Sequence, residues 1–349
     1  VVMVRFRARR LPMHGAGGYN IPREVLLAIR QGNAQRVERL VDGLVGALRA
    51  QRRQPREGQR QHPAADLGIP LWDLACTANK LARRPLGPQH APFWDEVSEA
   101  VCDFGSQLAA REVALLCGAY GVGAPGHLPG PAGRALAGRA AELAEDLNAR
   151  DLAAVVQGLA QGAKAQPDDS GGGDHSGAGA GVCDPQHLQA LARAALKVEL
   201  EDRRPEHVAM LLSSFVRLRH AGDAALFGRL FGAARRNLPA WRARELAVFC
   251  NSFASARRRA RALTCDEGWA DIARRCAAVI PHADGEHFAF MASALSQVGA
   301  DGASVAVFYD ALEEMLCSRP RVNDFLNTQD LAMIAQGFAR HRRPARLEP

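Results

Sequence analysis

The sequence predicts an all-α protein, an α-solenoid of about seven to eight two-helix repeats of roughly 38–43 residues each. The main observation is a ten-residue phrase that recurs seven times with alanine always at its third position. Alanine, a strong helix former, is abundant, and the alternating apolar–polar pattern of a β-strand is scarce. A period near 40 residues is typical of helical arrays, in which each repeat contacts only its neighbours.

Each copy of the phrase opens with a charged residue or a histidine and closes near a large apolar residue. The copies are residues 73–82, 112–121, 151–160, 207–216, 245–254, 287–296 and 330–339. Their third-position alanines are 39, 39, 56, 38, 42 and 43 residues apart. The long interval contains a Gly/Ser-rich stretch at 166–183 and shortens to 38 residues without it. We interpret this stretch as a loop insertion within one repeat.

The N-terminal part departs from the phrase. Residues 1–21 are predicted to form a basic arm, which is either the edge of an organellar transit region or an RNA contact. We interpret residues 22–65 as a degenerate first repeat and a linker, with one helix starting at Pro22 and a second at 34–50. The repeat array then covers residues 66–349.

Each phrase predicts a helix A, and six phrases are followed by a predicted helix B. The helices B are 93–108, 132–147, 185–200, 224–238, 268–280 and 304–316. The opening acid of the phrase lies in the first turn, where it suits the positive end of the helix dipole. Residues 340–349 cannot supply a full partner helix, so we expect an unpaired last helix A that needs a cap or a partner.

Within the phrase, positions two, five, six and nine fall on one side of a helix and predict the core face. In the last copy these are Leu331, Ile334, Ala335 and Phe338. Small residues at positions three and eight predict a close approach of neighbouring helices.

Position seven is polar in six of the seven copies, the exception being Gly118. One hydrogen-bonding side chain per repeat is what modular base readout requires. The alternative is that small polar residues fit a helix contact or face water. The candidate base-facing residues are Asn79, Gln157, Ser213, Asn251, Ser293 and Gln336.

Arginines recur in the A-to-B turns, and the chain carries a net charge of +7 with a pI near 9.2. Equivalent turns of a solenoid lie along one edge, so these arginines could follow a phosphate backbone. Solvated loops are the alternative. The candidate phosphate contacts are Arg83, Arg84, Arg217, Arg219, Arg257, Arg258, Arg259, Arg261, Arg340, Arg342 and Arg343.

Signals for catalysis are weak. The Gly121–Gly126 stretch matches a dinucleotide-binding spacing but follows a helical phrase instead of a strand. None of the eight cysteines forms a C-x-x-C pair, and no run of 18 apolar residues predicts a membrane span. We expect no catalytic residue, metal ion, cofactor or small-molecule substrate.

The phrase, its period and the helix pair resemble the octotricopeptide and heptatricopeptide repeats, relatives of the FAST-kinase-like organellar RNA proteins. Residues 325–332, Phe-Leu-Asn-Thr-Gln-Asp-Leu-Ala, carry the best match, and the resemblance covers about residues 66–340. It implies a solenoid in a mitochondrion, or alternatively a plastid, that binds organellar RNA. Some members are mitoribosome subunits. Many relatives end in a small RAP domain, which is not visible here, and this favours a binding role over a nuclease-like activity.

The resulting expectation is a structural subunit of a mitochondrial ribosome, with ribosomal RNA and neighbouring proteins as partners. One alternative is a protein-binding scaffold in another organellar complex, such as a respiratory assembly. Another is an RNA-processing or stability factor.

Overall fold

The computed structural model describes residues 21–53, 69–84, 90–165, 183–200, 204–260, 268–298, 302–318 and 326–341. These residues form fifteen α-helices and no strand, and they confirm the predicted all-α helical array. The basic arm before residue 21, most of the linker and residues 166–182 of the insertion lie outside the described part.

All seven phrases lie in helices A, and all six predicted helices B are present. The helices A are α3 (Leu71–Leu81), α5 (Ala110–Gly123), α7 (Ala149–Ala165), α9 (Pro205–Arg217), α11 (Ala243–Arg259), α13 (Gly285–Leu295) and α15 (Thr328–Arg340). The helices B are α4 (Ala91–Phe104), α6 (Pro131–Glu142), α8 (Pro185–Lys197), α10 (Ala224–Arg236), α12 (Trp269–Val279) and α14 (Gly302–Ser318). The pair α1 (Ile21–Arg30) and α2 (Ala34–Arg53) precedes them.

The first residue of the phrase is the third residue of helix A in every copy. In the copies of α5, α11, α13 and α15, its side chain accepts a hydrogen bond from the backbone N–H of the residue before the helix. Glu112 does so from Ala109 at 2.8 Å, and Asp330 from Asn327 at 3.3 Å. An N-terminal turn has backbone N–H groups without helical partners, so an acid or histidine here stabilises the helix start.

The six helices A from α3 to α13 are each buried on three sides. Consecutive residues of an α-helix are about 100° apart, so positions two and nine point to helices B. Positions one, five and eight form the previous-repeat face, and positions three, six and ten form the next-repeat face. Positions two and six are at most 3% exposed in the six internal copies, α3 to α13. The predicted core positions are therefore buried there, although five and six face neighbouring helices A.

Small residues allow helices A to pack closely. Gly158, at position eight of α7, lies over the backbone of Cys117, at position six of α5. Gly337, at position eight of α15, lies in the same way over Ala292 of α13. The prediction of close approach at position eight is thus confirmed for the α5–α7 and α13–α15 contacts.

Arginines on helices B attach each repeat to the one before it. Their guanidinium groups donate to backbone carbonyls in the preceding B-to-A turn, at 2.7–3.0 Å. The three pairs are Arg139 with Leu108, Arg229 with Val198, and Arg275 with Trp241. The turn carbonyls have no helical partner, so these bonds satisfy them within the inter-repeat contact.

We expect Arg275→Met to destabilise the array by about 1–2 kcal/mol, because it leaves the Trp241 carbonyl without its donor while keeping the aliphatic stem. Urea unfolding followed by circular dichroism measures this. The matched control is Arg274→Met on the same helix, where the exposed ion pair with Asp271 contributes little. Equal effects of the two substitutions would show that the carbonyl contact is not stabilising.

The last copy corrects part of the core prediction. Leu331 and Ala335 were expected in the core, but Leu331 is 48% exposed and Ala335 is also exposed. Ile334 is buried and Phe338 is half-buried. The reason is that no helix follows α15 among the described residues, so two of its sides face solvent.

Candidate nucleic-acid interface

The fourth side of each helix A is open and forms a continuous surface, which we call the helix-A face. It consists of positions zero, four, seven and eleven, where position zero is the residue before the phrase. These positions fall within a sector of about 60°. All position-four residues are half-buried, and Ser293 is the one buried residue at position seven. The candidate base-facing residues therefore share one surface.

A groove with a cavity volume of about 210 Å³ crosses the helix-A face from α3 to α9. Position-seven residues of three consecutive repeats, Asn79, Gly118 and Gln157, line it. Apolar position-four residues, including Leu115 and Met210, lie beside them. Two of the six candidate base-facing residues thus lie in one groove, and the other four lie on helices further along or at the end of the array.

The position-seven side chains differ in how they are hydrogen-bonded. The Ser213 hydroxyl donates to the Met210 carbonyl at 3.1 Å, and the Ser293 hydroxyl accepts from Gln297 at 3.0 Å. The amides at this position make no hydrogen bond to another described residue, which leaves their donors and acceptors open to a ligand. These amides belong to Asn79, Gln157, Asn251 and Gln336.

Positive charge lines the groove. Arg83 at position eleven of α3 and Arg150 at position zero of α7 are exposed and have no ion-pair partner among the described residues. Arg111 at position zero of α5 also lines the groove and pairs with the buried Asp151 of the next repeat. Glu206 is the one acid in the lining. The groove therefore has an excess of positive charge, as a phosphate ligand requires.

Three of the candidate phosphate-binding arginines are engaged within the protein. Arg84 donates to the Ile29 carbonyl at 2.5 Å, and Arg259 donates to the Val216 carbonyl at 2.8 Å. Arg257 donates to the Val298 carbonyl. These carbonyls lie at or just beyond the C-terminal ends of α1, α9 and α13, where backbone acceptors lack helical donors. The three arginines therefore connect repeats.

The remaining eight candidates fall into three sets. Arg83, Arg217 and Arg340 all occupy position eleven and are exposed on the helix-A face. Arg219 is exposed in the turn that follows α9, and Arg258 donates to Ser255 at 3.0 Å. Arg261, Arg342 and Arg343 lie outside the described residues.

Sequence reasoning missed the arginines at position zero. Arg111, Arg150 and Arg244 each precede the opening acid of a phrase by one residue. Positions zero and eleven are about 16 Å apart along a helix axis. Arginine occupies position zero on α5, α7 and α11 and position eleven on α3, α9 and α15, so these six helices each have an arginine at one end of the helix-A face. The signal that could have found them is the recurrence of arginine one residue before the opening acid of three phrases.

A second cavity of about 510 Å³ adjoins the groove at the N-terminal ends of α7 and α9. Arg150 lines both cavities, and Arg204 and His207 line the second. Burial lowers the pKa of His207, and Arg204 and Arg150 act in the same direction, against Glu206 and Asp151. The imidazole is therefore neutral near pH 7 and can both donate and accept hydrogen bonds.

The described residues contain no cluster of three or more metal-binding side chains, and none of their helices combines the length and the hydropathy that a membrane span requires. The Gly121–Gly126 stretch ends α5 and leads into one 3₁₀ turn, not a strand-to-helix loop. Burial raises the pKa of the Cys117 thiol to about 12, so it stays protonated and unreactive.

Comparison with protein-family models and with curated proteins found no match to this chain.

Proposed function

We propose that this chain is an organellar RNA-binding helical-repeat protein, and most concretely a structural subunit of a mitochondrial ribosome that binds ribosomal RNA. The observation that carries the proposal is the groove on the helix-A face, where side chains from successive repeats meet. The octotricopeptide-like resemblance of the phrase supports the organelle and the ribosomal setting.

The groove suits single-stranded RNA in two respects. Amide side chains such as Asn79 and Gln157 can donate to and accept from base edges, one per repeat. Arg83 and Arg150 flank them and can contact phosphates bidentately. The apolar side chains between them offer a surface for the faces of bases.

The test compares a charge-reversed groove with a charge-reversed outer surface. The double variant Arg83→Glu, Arg150→Glu is titrated with a labelled single-stranded RNA of random sequence at several salt concentrations. We expect affinity to fall about tenfold or more, with a salt slope shallower by about 1–1.5 for two lost phosphate contacts. Both arginines are exposed, so the thermal unfolding midpoint should stay unchanged.

The matched control is Arg39→Glu, Arg193→Glu, which removes the same charge from exposed positions on α2 and α8. It should retain the salt slope of the unmodified chain. An equal loss of RNA affinity in both double variants would show that the net charge of the chain, and not the groove, determines binding. An unmodified chain that does not bind RNA would overturn the proposal in favour of a protein-binding scaffold.

A further inference from the structure

The groove crosses the helix-A face obliquely. On α3 the lining residues occupy positions seven, ten and eleven, and on α5 they range from position zero to position eleven. On α7 they occupy positions zero, four and seven, and on α9 positions zero, one and four. The groove therefore passes from the C-terminal end of α3 to the N-terminal end of α9.

The charge of the lining changes sign where the groove reaches α9. Position zero is arginine on α5 and α7, as Arg111 and Arg150, but it is Glu206 on α9. Glu206 pairs with Arg204 at 4.0 Å, and the two side chains are 46% and 61% exposed, so the pair is weak. A phosphate that advances from α7 to α9 would exchange the attraction of Arg150 for the repulsion of Glu206.

The hydrogen-bonding groups at position seven change at the same helix. The amides of Asn79 on α3 and Gln157 on α7 line the groove and are open to a ligand. On α9 the position-seven hydroxyl, that of Ser213, donates to the Met210 carbonyl at 3.1 Å. The side chains that can read a base and the arginines that can hold its phosphate are therefore both found on α3 to α7.

The second cavity, of about 510 Å³, gives a strand a route away from the helix-A face at this point. Arg150 and His207 line both this cavity and the groove, and the cavity lies at the N-terminal ends of α7 and α9. A strand that reaches Arg150 can therefore pass over these helix ends instead of continuing along the array.

We infer that the groove holds a short segment of single-stranded RNA across α3, α5 and α7, and that Glu206 ends this site. The bound strand crosses three helices A and does not follow the remaining ones. Arg217 and Arg244, which are exposed further along the helix-A face, lie outside the site. The inference rests on the proposed RNA binding and narrows it from the whole face to one segment.

Two charge reversals at the same position of the phrase test the extent of the site. Arg150→Glu and Arg244→Glu each replace the exposed second residue of a helix A, one inside the groove and one beyond Glu206. The probe is a labelled single-stranded RNA of random sequence, about ten nucleotides long, titrated by anisotropy. We expect Arg150→Glu to weaken binding about fivefold or more, because a phosphate contact becomes a repulsion. Arg244→Glu should change the affinity by less than about twofold, because salt screens a distant charge.

Equal weakening by the two reversals would show that the strand follows the array. This result would overturn the inference and leave the proposed RNA binding intact. A chain that binds no RNA in either its unmodified or its variant forms would instead overturn the proposed function, and the inference with it.

A second pair of variants tests the role of Glu206. Glu206→Gln should strengthen binding about twofold or more, because it removes the one carboxylate in the groove lining. The matched control is Glu286→Gln, which removes the same charge from the second residue of α13. It should leave the affinity unchanged. Equal strengthening by both variants, or no strengthening by Glu206→Gln, would overturn the assignment of Glu206 as the end of the site.

Discussion

Replacing Gly158 with alanine should destabilise the array by about 2–3 kcal/mol, although alanine is the better helix former. Gly158 lies in the middle of α7, where it packs on α5, and these two helices share the most extensive contact of any described pair. An added Cβ would lie 2.1 Å from the Cys117 carbonyl oxygen and 2.5 Å from its carbonyl carbon. Backbone atoms cannot rotate away as a side-chain end can, so the two helices must separate.

The matched control for this substitution is Gly118→Ala on α5. A Cβ there would meet only the Ala154 Cβ, at 4.0 Å, which is ordinary contact. It should therefore stabilise the helix by about 0.5–1 kcal/mol, the usual gain when alanine replaces a helical glycine. Urea unfolding of both variants measures the difference. A Gly158→Ala variant as stable as the unmodified chain would mean that the repeats slide past each other without loss of packing.

The helix pairs could be predicted because the phrase repeats a local physical pattern. Glu112 and Asp330 cap their helices in the same way, because the cap needs only residues within one turn. Small residues at position eight, such as Gly158, also recur from copy to copy, and this recurrence predicts the close approach of neighbouring helices. These features are encoded within about ten residues and do not depend on the superhelical path.

The roles of the arginines could not be predicted in the same way. Arg84 and Arg83 are adjacent in sequence, yet Arg84 bonds the Ile29 carbonyl of another repeat while Arg83 extends into the groove. Which arginine can donate to a carbonyl of another repeat depends on the rotation of one repeat relative to the next. The sequence pattern does not specify this rotation. For the same reason the phrase of α15 does not reveal that Leu331 is exposed, because its residues match those of the internal copies.

Removing the carboxylate of Asp151 should destabilise the array by about 2 kcal/mol. Asp151 is 4% exposed, accepts from the Asn148 amide at 2.9 Å and pairs with Arg111 of the preceding repeat. Asp151→Ala breaks the helix cap and leaves Arg111 without its acid. The effect is below that of a fully buried ion pair because the Arg111 side chain is 37% exposed. Glu112→Ala is the control, since it removes a cap at the same position without the buried inter-repeat ion pair, and should cost about 0.5–1 kcal/mol.

A double-mutant cycle with Arg111→Ala separates the ion pair from the cap, and we expect a coupling energy of about 1 kcal/mol. Additive effects would show that the pair contributes nothing between repeats.

RNA affinity should change in the opposite direction from stability. Asp151→Ala releases the Arg111 guanidinium into the groove and removes a negative charge beside it, so binding should strengthen severalfold if the groove holds phosphates. A variant that folds less stably but binds RNA more tightly would separate the two roles of Arg111, because loss of structure alone can only weaken binding.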